Sequence, residues 1–304
     1  MPVPRIRLHA SGPELSRLVA GAWRFLRGEV TTTPKELAGF IEGCLALGIT
    51  SFDHADVYGG YAMEALFGAA LKEWGGRRSQ IEIVTKCGIR AVNPRWPETR
   101  IKHYDTSAAH IRSAVDRSLA NFGTDYIDLL LIHRPDPFMD AADCARGLEE
   151  VVRAGKVRAV GVSNFAPSQV RLLQSALSLP LVTNQIEYSV LWPDPNFDGT
   201  LDQAQELKAA PMIWSPLGGG KLFSDEPSAL RVRPVLEALR AKHGAEDIGS
   251  IALAWLLMHP SRPVPVLGST RIDRIAAATG ALDVRLDRQD WFAIHEAAMG
   301  EPVP

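Results

Sequence analysis

ITSFDHA (residues 49–55), IEIVTKC (81–87) and YIDLLLIH (126–133) are short runs rich in apolar and β-branched residues, and each carries a polar group at or near its C-terminal end. Runs this apolar suit strands covered on both faces, as in a parallel sheet. Five more stretches read the same way: LVAGAW (18–23), VRAVGVSN (157–164), LVTNQIEY (181–188), PMIWSP (211–216) and VPVLGST (264–270).

Longer amphipathic segments with helix start signals lie between these runs. Thr33-Pro34 precedes ELAGFIEGCLAL, with the threonine as cap and the proline at the first helical position. Thr106 or Ser107 precedes AHIRSAVDRSLANF, and Gly123 follows it as a stop. Pro167 opens SQVRLLQSAL in the same manner. Alternation of this kind along the chain predicts an α/β fold, a (β/α)8 TIM barrel, because parallel strands need helical crossovers and closure removes both sheet edges. An open doubly wound sheet is the alternative, but the turn after the first strand lacks GxGxxG. With no linker or repeat in view, residues 1–304 read as a single domain.

Two connections are long: residues 88–105 after the third strand, and 217–228, with three successive glycines, after the seventh. Long loops in compact domains are more often functional than accidental, and both follow strand ends on the face where barrel active sites lie. They are candidate walls or lids.

Composition narrows the partners. A hydrophobic share of 46% and a charged share of 22% are those of an ordinary globular chain, and a net charge of -2 gives no basic footprint for nucleic acid. No apolar run approaches the roughly 20 residues of a membrane span. The first ten residues show no secretory h-region, and three scattered cysteines suit a reducing cytoplasm better than a disulfide framework. No CxxC or HExxH spacing points to a metal. A monomer is the default expectation.

The strand ends carry the chemistry. A lysine at the end of a buried strand needs a carboxylate, and Asp53 stands at the matching height for Lys86. Tyr58 lies five residues past Asp53, far enough to curl over the barrel mouth. An ammonium beside its phenol would lower the phenol's pKa and make it a proton donor workable near neutrality. His133 can bond the same substrate oxygen. Each has a structural reading alone (a core ion pair, a packed tyrosine, a satisfied histidine). Their convergence at the ends of strands two, three and four suggests proton transfer to a carbonyl oxygen.

These stretches carry a resemblance. FDHADVYGG, IVTKCG and LLLIHRPDP, followed by GKVRAVGVSNF, LVTNQIEY, SPLGGG and VLGSTRIDRI, are similar over essentially the full chain to the aldo-keto reductases, and IHRPDP to a bacterial oxidoreductase branch of them. The resemblance implies NADPH-dependent reduction of aldehydes or ketones by the tetrad Asp53, Tyr58, Lys86 and His133. It implies that Ser163, Asn164 and Gln185 hold the nicotinamide carboxamide and that Trp214 stacks on the ring. It further implies that Gly21, Ala22, Trp23 and Asp53 line the cofactor's nicotinamide end. Ser215, Leu217 and Gly218, Gly219 and Gly220 would wrap the pyrophosphate, and Ser269, Thr270, Arg271 and Arg274 would take the adenosine end, with Ser269 and Arg274 on the 2′-phosphate. Gly268 stands where many members carry a phosphate-binding lysine, and Ala277-Ala278 replace the residues that contact adenine. Trp23, Phe25, Tyr104 and Trp192 are candidate walls of the substrate pocket. Two other readings stay open: a cofactor-binding regulatory barrel without turnover, and a lyase using Lys86 as a Schiff-base nucleophile.

Overall fold

The computed structural model describes residues 2–26 and 32–303. Among them, eight parallel strands close into a barrel. In chain order these are β1 (Val19–Gly21), β2 (Ser51–Asp53), β3 (Glu82–Cys87), β4 (Leu129–Ile132), β5 (Val160–Ser163), β6 (Leu181–Glu187), β7 (Met212–Trp214) and β8 (Val264–Leu267). Each pairs with its sequence neighbour, and β8 closes on β1 through Val266 opposite Val19.

The helix signals act as read. In α1 (Pro34–Ala46) Thr33 and Glu36 cap each other's backbone N–H groups. In α3 (Ala108–Phe122) the cap is Ser107, which accepts from His110, and Gly123 ends the helix at a φ of +66°. Between these runs α2 (Met63–Trp74), whose Gly68 lies so close to α3 that a Cβ would come within 2.1 Å of the Asn121 carbonyl oxygen. The apolar segment IALAWLLM belongs to a buried helix, Ile248–Met258. No helix among the described residues is long and apolar enough to cross a membrane.

Alternate residues of the strands meet inside the barrel. Val19, Val84, Leu129, Leu131, Met212, Val264 and Val266 form one cluster with Ile6, Leu8 and Leu15. The last three belong to an antiparallel hairpin, Arg5–Arg7 with Glu14–Ser16, that plugs the N-terminal end of the barrel. The charged Arg5 and Arg7 mask its short alternation. Arg5 explains their cost, since its guanidinium is held by Thr50 and Glu82.

The strands are shorter than the apolar runs. Only 51–53 of 49–55 and 212–214 of 211–216 belong to the ladder. His133 and Asn164 therefore lie just past the sheet at the C-terminal mouth yet keep its register, while Asp53 and Lys86 remain within it. Asp56 donates its backbone N–H to the Lys86 carbonyl (3.0 Å), His133 to that of Cys87 (2.8 Å) and Asn164 to that of Gln185 (2.9 Å). The long connection after β3 is no open loop. Ile89–Arg90 pairs with His103–Tyr104 as a second hairpin.

Candidate active site

Asp53, Lys86, Ser163, Gln185 and Trp214 are the inward-facing residues at the mouths of β2, β3, β5, β6 and β7, and His133 directly follows β4. Lys86 is 1% exposed and its Nζ donates to both carboxylate oxygens of Asp53 (2.8 and 2.7 Å) and to the His54 carbonyl (2.7 Å). Tyr58 lies on the turn that follows, with its hydroxyl 3.5 Å from Lys86 Nζ. The His133 ring meets the Tyr58 ring edge-on, centroids 5.9 Å apart. The four side chains thus surround one point at the mouth of the barrel.

Electrostatics here depart from the sequence reading in one respect. Burial raises the Tyr58 phenol above its ordinary range, and the Lys86 ammonium only partly offsets this. Desolvation of the phenolate outweighs one nearby charge because that charge is itself committed to Asp53. Burial pulls Lys86 down, but Asp53 and Tyr58 more than reverse it, so the ammonium is retained. Burial first, and Lys86 second, hold His133 well below the usual histidine range, which leaves a neutral imidazole. Its Nδ1 is buried without a hydrogen-bond partner among the described residues.

Beside the four lies a second polar set. Ser163 donates to the Gln185 carbonyl (2.8 Å), and Asn164 donates through Nδ2 to the Ser163 hydroxyl (2.8 Å). Asn164 Oδ1 accepts from Trp214 Nε1 at 2.8 Å, which fixes the indole plane across the mouth. Asn164 holds a left-handed backbone, φ +62°, a strained conformation of the kind that clusters at functional sites. Gln185 makes a contact that its spacing did not foretell: Nε2 donates to Asp53 Oδ1 at 2.8 Å. The second set is therefore wired to the first through Asp53.

Farther out, Ser215 and Gly218, Gly219 and Gly220 all have positive φ, from +51° to +100°. A Cβ on Gly220 would meet nothing within 4 Å, whereas one on Gly218 would come within 2.8 Å of the Leu191 side chain, so the glycine turn after Leu217 is packed at its first residue and open at its last. Gly21 and Ala22 are buried at the end of β1, while Trp23 is 45% exposed. Arg24 bonds the Gly219 carbonyl, and its Nε lies 3.7 Å from where a Gly268 Cβ would be. A guanidinium thus stands beside the position that lacks a lysine. Only its place next to Trp23 in the sequence hinted at this.

Ser269 and Thr270 are half-buried, and the Ser269 hydroxyl accepts from the Arg271 N–H (3.2 Å). Arg271 is engaged by Asp273, whereas the Arg274 guanidinium is exposed with no ion-pair partner among the described residues.

Of the four pocket candidates, Trp192 is 47% exposed and Tyr104 half-buried on the second hairpin. Phe25 is a correction. It is 4% exposed and packs edge-on against Phe40 in the core, centroids 4.9 Å apart, because the chain turns inward after Arg24. The sequence offered no warning of Arg134, whose guanidinium lies 5.7 Å from the Trp214 ring centroid. Cys87, next to Lys86, is buried among Ile111, Val115 and Ile132.

Comparison with known proteins agrees with this fold. The Aldo/keto reductase family model matches residues 17–298. A 6-dehydroglucose reductase of Agrobacterium fabrum is 50% identical, covering 95% of this chain and 96% of that protein. The oxidoreductase YdhF of Escherichia coli is 46% identical, covering 99% of this chain and all of its own. Among solved structures, the thermostable aldo-keto reductase Tm1743, crystallised with the inhibitor epalrestat, superposes with a TM-score of 0.83 at 27% identity, over 97% of this chain and 99% of that one.

Proposed function

The chain belongs to the aldo/keto reductase family, and on that footing we propose that it reduces an aldehyde or ketone to the alcohol with NADPH, Tyr58 giving the proton. The observation that carries this reading is Lys86, held by Asp53 and standing 3.5 Å from the Tyr58 hydroxyl. When bound, the nicotinamide supplies hydride to the carbonyl carbon.

The chain's own groups do the rest. Tyr58 transfers its proton to the carbonyl oxygen, and the tyrosinate left behind is stabilised by the Lys86 ammonium. Asp53 keeps that ammonium in place and charged. His133, neutral, orients the oxygen by a hydrogen bond without competing as an acid. Ser163, Asn164 and Gln185 bind the carboxamide, and Trp214, fixed by Asn164, is the platform for the ring. The glycine turn 218–220 takes the pyrophosphate through its backbone. Ser269 and the exposed Arg274 bind the 2′-phosphate, which selects NADPH over NADH. A glycine turn open at Gly220 and a guanidinium with no ion-pair partner among the described residues both suit the nucleotide.

For the substrate we infer a sugar aldehyde of the kind named for the Agrobacterium relative. Trp23 and Trp192 offer exposed aromatic faces, and Arg134 offers donors to hydroxyl groups. A Schiff-base role for Lys86 has little support, because the nucleophilic form is the free amine and this ammonium is held by a bidentate carboxylate.

Tyr58→Phe tests the proposal. Loss of a positioned general acid should slow carbonyl reduction about 10²–10⁴-fold while fluorescence titration shows unaltered NADPH binding. Reduction at the wild-type rate would remove Tyr58 from the reaction. Arg274→Ala should weaken NADPH and leave NADH affinity as it was.

A further inference from the structure

The hairpin after β3 begins three residues past Lys86, at Ile89, and packs on the turn that carries Tyr58. Its contacts converge on Tyr61. The Tyr61 hydroxyl donates to the Ile89 carbonyl (3.1 Å) and accepts from the Ala91 N–H (2.9 Å). Its ring, 5% exposed, meets Trp96 edge-on at 4.4 Å. Arg90 and Arg117 in turn cover the Trp96 ring, at 5.2 and 5.5 Å. Two further bonds reach the same turn, Asn93 Nδ2 to the Gly60 carbonyl (3.2 Å) and Arg95 to the Tyr61 carbonyl (3.4 Å).

Tyr61 pays for this arrangement in backbone strain, with a φ of +72°, where a bulky residue is a genuine outlier. Glycine would hold that φ without strain, so the phenol is present for what it touches. On its other side Tyr61 donates its N–H to the Tyr58 carbonyl (3.1 Å), as does Ala62 (3.2 Å). The chain of contacts runs unbroken from the hairpin, through Tyr61, to the backbone of Tyr58. Meanwhile the Lys86–Tyr58 contact, at 3.5 Å, sits at the outer limit of a hydrogen bond, so a small displacement of the turn severs it.

We propose that Tyr61 is a positioning residue for carbonyl reduction: through it, the 88–105 hairpin locks the turn bearing Tyr58 at hydrogen-bond range of Lys86. This rests on the tetrad reading above. The hairpin is then no lid. It braces one tetrad member against the strand that carries another, and movement of an acid by about 1 Å can cost on the order of 10²-fold in rate.

Tyr61→Phe keeps the ring against Trp96 and removes both hairpin hydrogen bonds. Three quantities decide the outcome: the single-turnover rate of hydride transfer, the NADPH dissociation constant, and the ionisation midpoint of Tyr58 followed by NMR of 13C-ring-labelled tyrosine. The expected result is hydride transfer slowed about tenfold or more, KM and NADPH affinity within about twofold of wild type, and a Tyr58 midpoint moved upward as Lys86 loses contact. A purely structural role lowers thermal stability but leaves rate and midpoint alone, and that result overturns the proposal. So does a fall in NADPH affinity that matches the fall in rate, since the effect would then run through the cofactor cradle. If Tyr61→Phe fails to fold, the half-buried Asn93→Ala must shift the midpoint in the same direction, and an unchanged midpoint there overturns the proposal equally. A wild-type protein that reduces no carbonyl, yet whose Tyr58 midpoint moves in Tyr61→Phe, refutes the proposed function and leaves the positioning intact.

Discussion

Removing the Lys86 side chain should destabilise this barrel more than removing Lys86 and Asp53 together. In the wild type Lys86 Nζ is satisfied by both Asp53 oxygens and the His54 carbonyl, and Asp53 accepts in addition from Gln185. Lys86→Met leaves a carboxylate 3% exposed with one neutral donor, and Asp53→Leu leaves an ammonium 1% exposed with only the His54 carbonyl and the 3.5 Å contact to the Tyr58 hydroxyl. Stranding one partner of a buried pair costs about 3–5 kcal/mol, so each single variant should lose that much. At about 2–3 °C per kcal/mol for a chain of this size, melting should fall by roughly 6–15 °C. Simple addition predicts about 6–10 kcal/mol for the double variant. Replacing both charges by apolar groups, however, removes the stranded charge and leaves chiefly Gln185 Nε2 without its acceptor, a cost of about 1–3 kcal/mol. Denaturant titration of the wild type, both singles and the double measures the coupling directly, and all three variants should be inactive. A double variant as unstable as the sum of the singles would mean that the pair is not the isolated buried unit described here.

The reduction rate should stay level from pH 6 through 9 and decline only above the ordinary tyrosine range near pH 10, since Tyr58 is raised and His133 lowered; an inflection between pH 6 and 7 that vanishes in His133→Gln would contradict the neutral imidazole. His54 is wholly buried between Phe67 and Phe122, and its pKa is pushed down to about 3, first by burial and second by Lys86. A depressed histidine binds fewer protons folded than unfolded, so its contribution is full above pH 6.5 and is lost as pH falls toward about 3. His54→Phe should therefore flatten the acid limb of the stability–pH curve, and an unchanged limb counts against it. Gly68→Ala places a Cβ 2.1 Å from a backbone oxygen of α3, so α2 and α3 must separate at a cost of about 1–3 kcal/mol or more, read as a lower denaturation midpoint.

The strand-end chemistry was legible because it is periodic: a buried run fixes which side chains point inward, and the last inward one reaches the mouth. Asp53, Lys86 and the Ser163–Asn164 pair were locatable on that ground, and Tyr58 by its offset from Asp53. The N-terminal hairpin was not, since Arg5 and Arg7 make it look like surface until Glu82 and Thr50 are brought beside it. Phe25 read as a mouth residue from its place after β1, but a change in chain direction carries no sequence signal.

What the sequence determined by itself was the order of strands and helices, the register of the inward face and the identity of the groups at the mouth. Local propensity and periodicity encode those things. The balance of charge was decided only in three dimensions. Proximity of Lys86 to Tyr58 argues for a lowered phenol, yet desolvation depends on every atom packed around the ring, and in the folded barrel it prevails. Tertiary structure likewise decided the wiring of Gln185 to Asp53 and the docking of the 88–105 hairpin on Tyr61, because both join residues that chain order holds apart and only closure and folding-back bring together.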